Sequence, residues 1–126
     1  MNLLNKIKEA QKTATSYPDL VKKFIAIGVQ SYTVDVATEI ILYRFDNGIH
    51  EILQRENDPC VITEKFDGEL VVKAIRDNQA GKSDYPTFMK SIAAAGVRFY
   101  EATLTGDNKR VTYIGIGDSY EEIILL

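Results

Sequence analysis

The chain has 126 residues, a formal net charge of −3 and a pI near 5.2. That is about one domain's worth of sequence, without the basic surplus that general nucleic-acid binding requires. A composition of 45% hydrophobic and 26% charged residues excludes a disordered protein. No apolar run approaches the ~20 residues of a membrane span, and Met1 to Ala10 alternates polar and apolar residues without a signal-peptide core. Cys60 is the only cysteine, which excludes an intrachain disulfide and suits a reducing cytoplasm.

Leu3, Leu4, Ile7, Ala10, Gln11 and Ala14 recur at helical spacing behind Asn2, a good cap, and predict a short amphipathic helix. Tyr17-Pro18 interrupts it, and a second helix is expected from about Pro18 with Leu20, Val21, Phe24, Ile25 and Ile27 on its apolar face. Gly28 fits the left-handed position past its end. Stretches 29–36, 39–45 and 49–53 are rich in β-branched and aromatic residues, with the tight-turn signal Asp46-Asn47-Gly48 between the last two. They predict a three-stranded meander. Residues 54–66 read as a polar connector with a short strand at Val61–Thr63.

The pattern then restarts. Asp67 can cap a helix carrying Leu70, Val71, Ala74 and Ile75 and stopping near Gly81. Pro86 opens another with Phe88, Met89, Ile92 and Ala93, closed by Gly96. Strands are expected at about 97–104, 110–115 and 119–125.

The restart is a duplication. At an offset of 68, Ile7, Gln11, Tyr17, Pro18, Lys22, Ala26, Gly28, Val29 and Tyr32 fall on Ile75, Gln79, Tyr85, Pro86, Lys90, Ala94, Gly96, Val97 and Tyr100. Chance predicts about one or two such identities in a window of that size. A unit of ~60 residues is marginal alone, so the two copies should share one core. The expected fold is α+β: one domain over 1–126, with repeats at about 1–53 and 67–126. Each repeat is helix-helix-strand-strand-strand, the two are related by an approximate twofold, and the antiparallel sheet or sheets are covered on one side by helices.

The stretch Ala80-Gly81-Lys82-Ser83-Asp84-Tyr85-Pro86-Thr87-Phe88, followed by Ile92-Ala93-Ala94-Ala95-Gly96-Val97 and Tyr100, resembles the YbcV-like family of small bacterial and prophage proteins, a domain of unknown function. Its most recognisable part is Gln79, Gly81, Asp84, Tyr85 and Phe88, and Arg110 to Gly115 and Gly117 to Glu122 are similar to the family's closing strands. Many relatives carry a histidine beside the glutamine or a cysteine after the phenylalanine. Here those positions hold Asn78 and Met89. The resemblance implies membership and no particular chemistry.

His50 and Cys60 are too few nitrogen and sulfur ligands for a zinc site, and no spacing suggests a cofactor. A nucleophile needs a base and an orienting third group, whereas His50 reads as a surface strand residue and Cys60 as a packing residue. Gly81-Lys82-Ser83 is no phosphate loop, because Arg76 stands where its first glycine belongs. Glu101, Asp118, Glu121 and Glu122 could act as acid/base groups only if they met in a cleft. No residue is assigned a catalytic role.

Tyr17/Tyr85, Tyr32/Tyr100 and Gln11/Gln79 are matched pairs. Tyrosine joins an apolar ring to a hydrogen-bonding tip, which serves helix-corner packing and ligand clefts alike. The candidate ligand-binding residues are therefore Gln11, Tyr17, Gln79, Asp84 and Tyr85. The leading expectation is a non-catalytic cytoplasmic module for a small molecule or a protein partner, without nucleic acid, membrane or metal. The alternatives are a small enzyme using Asp84 with neighbouring Tyr and Glu, and an assembly protein, such as a homodimer, pairing through edge strands.

Overall fold

Asn2, Ser16, Asp67 and Asp84 each precede a helix. In the computed structural model, which describes residues 2–55 and 59–126, each accepts a hydrogen bond from a first-turn amide: Asn5, Asp19, Leu70 and Thr87 donate at 2.8, 3.2, 3.2 and 2.9 Å. Residues 56–58 of the expected connector, and Met1, lie outside the described residues. The helices are α1 (Leu3–Thr13), α2 (Tyr17–Ile27), α3 (Gly68–Gln79) and α4 (Tyr85–Ala94). Ser16 and Asp84 are the caps of α2 and α4, so Tyr17 and Tyr85 occupy the first helical position and the prolines the second. A side-chain oxygen can accept from the first-turn amides, and a tyrosine ring there points away from them.

The strands are β1 (Val29–Asp35), β2 (Ile40–Phe45), β3 (His50–Gln54), β4 (Phe99–Thr103), β5 (Arg110–Ile114) and β6 (Ser119–Ile123). They form one antiparallel sheet in the order β3-β2-β1-β4-β5-β6, so the two meanders share a sheet. The expected strand at Val61–Thr63 does not form. The Thr63 amide donates to Ala93 O and the Asp67 amide to Ala95 O, so this segment seals the end of α4 instead of pairing with a strand.

The two halves meet at β1 and β4. Thr33 lies opposite Glu101, and Tyr32–Ala102 and Val34–Tyr100 flank that pair. Thr33 and Glu101 are themselves 68 positions apart, so the pair maps onto itself and marks the twofold. The flanking bonds obey the same symmetry: Val36 N donates to Arg98 O at 3.0 Å and Leu104 N to Gln30 O at 2.8 Å. A register shift between Val29 and Ser31 turns both Val29 and Tyr32 inward despite their odd spacing. All core positions form one contiguous cluster that draws Ile7, Val21, Phe24, Val71, Met89 and Ile92 from the helices onto the inner sheet face. Ile25 and Leu70, expected on apolar helix faces, are 38% and 47% exposed, because they sit at the border of stripes already filled by these neighbours.

The α2 and α4 ends also follow the repeat. Gly28 and Gly96 have φ of +95° and +86°, the left-handed region that penalises other residues. A Cβ on Gly96 would stand 2.4 Å from Lys65 O and 2.8 Å from the Phe66 Cα, whereas one on Gly48 (φ +84°) would meet nothing. Gly96→Ala is therefore expected to lower the unfolding free energy by about 2–4 kcal/mol and Gly48→Ala by about 1–2 kcal/mol, a contrast that urea denaturation of the two variants reads directly.

Candidate functional site at the internal dyad

Each half builds an aromatic triad on the inner face of the sheet. Phe24 meets Tyr32 and Tyr43 edge-on, both at 5.7 Å between centroids, and Phe88 meets Tyr100 and Tyr113 at 6.5 and 6.4 Å. The tilted pairs Tyr32–Tyr43 and Tyr100–Tyr113 close the triads at 5.7 and 5.4 Å. Edge-on contacts of this kind add about 0.5–1.5 kcal/mol each beyond area burial. Phe24 and Phe88 are 64 apart, not 68: the same ring sits one helical turn away on the same helix face. Tyr43 and Tyr113 are 70 apart because the turn before the second strand is longer in the second half. A fixed offset therefore pairs neither set, and sequence reasoning missed both.

Tyr17 and Tyr85, at the starts of α2 and α4, complete the cluster. The Tyr17 hydroxyl lies 2.6 Å from that of Tyr32, and the Tyr85 hydroxyl 3.3 Å from that of Tyr100. The Gln11 amide nitrogen donates to the Tyr43 hydroxyl at 2.9 Å. Tyr17 keeps 37% of its surface on solvent while its hydroxyl points inward, and Gln11 and Tyr85 are half-buried. The α1–α2 hairpin and the α3–α4 hairpin are each packed internally, and both contribute to the one buried cluster. Tyr17 and Tyr85 thus form the solvent-facing rim of the cluster, each reaching a hydroxyl on the central strands, Tyr32 of β1 and Tyr100 of β4.

Electrostatics place the phenols in one group. Burial drives all six upward: Tyr17 to about 12, and Tyr32, Tyr43, Tyr85, Tyr100 and Tyr113 above their ordinary range. Repulsion across the dyad adds to this, from Tyr85 on Tyr17 and Tyr43, from Tyr100 on Tyr32, and from Tyr17 on Tyr100 and Tyr113. At neutral pH the cluster is a set of protonated hydroxyls that can donate or accept hydrogen bonds.

The symmetry breaks at the rim. Gln79 is exposed and does not repeat the Gln11 contact. Its side-chain oxygen accepts from Arg76 at 3.1 Å, and Arg76 binds Glu122, which also accepts from the Tyr120 hydroxyl at 2.7 Å. Arg76 holds the Glu122 carboxyl below its usual range. Asp84 caps α4 on the surface, and its bonds to Thr87 keep its carboxyl low. Of the five candidate residues, the structure brings Gln11, Tyr17 and Tyr85 to the tyrosine cluster and leaves Gln79 and Asp84 outside it.

Two further residues join the cluster. Arg55 places its guanidinium carbon 4.4 Å from the Tyr85 ring centroid, a stacking worth about 0.5–2 kcal/mol. Glu39 is 2% exposed, the one buried charged residue among those described, and has φ of +59°, uncommon for a residue with a side chain. Its charge bears on Tyr85 and on Cys60, whose thiol is raised mainly by burial. Neither residue repeats across the two halves, so the duplication gave no signal for them. The acidic residues do not converge. Glu101 and Glu121 lie on the outer sheet face with Arg44 and Arg110, Glu122 lies on the inner face, and Asp118 sits in the turn before β6. An open depression of about 750 Å³ near the start of α3, lined by Phe66, Glu69, Val72 and Tyr120 among others, includes none of the six clustered tyrosines. His50 is exposed at the start of β3.

Residues 5–120 match the model of a family described as Protein of unknown function (DUF1398). The chain belongs to this family. The match spans both repeats, so the duplicated unit and the dyad lie within the DUF1398 region. A search of the curated proteins finds no match to the chain. No helix among the described residues is long and apolar enough to cross a membrane.

The raised phenols carry a pH consequence. A free tyrosine ionises near pH 10, and the folded values lie higher, so ionisation favours the unfolded chain. The stability from this cluster is expected to be complete below about pH 10 and to fall as pH rises from there toward 12 and beyond. Tyrosinate absorbance followed together with circular dichroism should show the buried phenols ionising only as the fold is lost.

Proposed function

We propose that this DUF1398 protein is a non-catalytic module that binds a small molecule at the internal dyad, with Tyr17, Tyr85 and Gln11 at the rim. One observation carries the reading: six tyrosines from both repeats gather around the twofold, and two of them, Tyr17 and Tyr85, reach solvent. Rings with a polar tip recur in ligand clefts because they supply apolar area and orienting hydrogen bonds together. Raised phenol ionisation supports binding over acid–base catalysis, since a general base should titrate near the working pH. Asp84, tied to the α4 amides, supports a capping role for that residue. The YbcV-like resemblance and the lone cysteine favour placing the protein in the bacterial cytoplasm.

Ligand-observed NMR against small ring compounds tests this. Binding should weaken by about tenfold or more in Tyr85→Ala. Asp84→Ala should cost about 1 kcal/mol of stability at the α4 cap and leave binding intact. Equal binding by wild type, Tyr85→Ala and Gln11→Ala would contradict the assignment.

A further inference from the structure

Three arginines of this chain already hold a carboxylate: Arg44 faces Glu101, Arg76 faces Glu122 and Arg110 faces Glu121. Arg55 differs. It is half-buried just past β3, it lies over the Tyr85 ring at 4.4 Å, and among the described residues no carboxylate forms an ion pair with it. Its charge bears on Tyr43 and on Tyr85, one phenol from each half. In the second half the offset that takes Glu51 to Tyr120 takes Arg55 to Ile124, a residue packed against the core. The dyad thus carries a cation on one side and an aliphatic side chain on the other. Glu39, the acidic group that also bears on Tyr85, is sealed from solvent at 2% exposure and is not offered at the rim.

We infer that Arg55 makes the dyad site selective for a small planar organic carboxylate, taken by the guanidinium fork while the Tyr17 and Tyr85 rings flank its flat body. This rests on the binding reading above. The guanidinium fork matches a carboxylate with two parallel hydrogen bonds. A half-buried cation also gains more from an anion than one in open water does. The neighbouring phenols keep their protons at neutral pH and can donate to the same anion. Two aromatic faces select a flat body over a compact inorganic ion.

The probes are benzoate, its uncharged isostere benzamide, and inorganic phosphate, each titrated while the tyrosine ring resonances are followed. Wild type should prefer benzoate over benzamide by about tenfold or more, with the largest shifts at Tyr85 and Tyr43. Arg55→Gln should bind benzamide as wild type does, which also reports that it is folded, and should lose the preference for benzoate. Arg55→Lys, a point charge without the fork, should keep only part of it. An unchanged benzoate preference in Arg55→Gln would overturn the inference and leave the binding reading standing. Phosphate binding as tight as benzoate would overturn the organic-carboxylate class. Failure of wild type to bind either ring compound would remove both this inference and the dyad site beneath it.

Discussion

The antiparallel pairing of β1 with β4 is the constraint on which the molecule depends. Each meander alone would expose a strand edge carrying Tyr32 or Tyr100 and would cover its inner face with only two helices. Joining the two edges about Thr33 and Glu101 removes both liabilities and lets one hydrophobic cluster serve two marginal units. Antiparallel geometry makes this self-consistent, since two copies of one strand can pair about a twofold only when they run in opposite directions. The same act of pairing sets Tyr32 diagonally across the strands from its own counterpart, Tyr100, on the same sheet face. The tyrosine cluster is therefore a consequence of how the halves join, not a feature of either half.

Much of this architecture is written in local chemistry. Ser16 and Asp84 differ as residues yet do the same capping work, so the repeat keeps its helix starts although the residue changes. Gly28 and Gly96 mark the helix ends by the backbone conformation they alone adopt cheaply. Where reading failed, the causes were non-local. The segment 61–63 is extended and β-branched, but its amide partners are the carbonyls that end α4, which no neighbouring residue reveals. Phe24 and Phe88 escaped because a helix face tolerates a shift of one turn. Tyr43 and Tyr113 escaped because loop lengths changed between the copies.

The candidate site was half legible for the same reason. Tyr17, Tyr85 and Gln11 came from the repeat, and the structure gathers them. Gln79 matches Gln11 in sequence, but Arg76 and Glu122 draw it to the surface of the second half. Arg55 and Glu39 have no repeat signal at all, and they give the dyad its charge. Duplication supplied a symmetric phenolic frame, and divergence at its rim made the two sides chemically different.

The shared sheet is tested most directly by native-state hydrogen exchange of the amides in β1 and β4. If the two copies form one cooperative unit through this pairing, amides on both strands will exchange only through global unfolding, with the same free energy as measured by denaturant. Markedly lower protection across one half, with β4 opening while β1 stays closed or the reverse, would contradict the account.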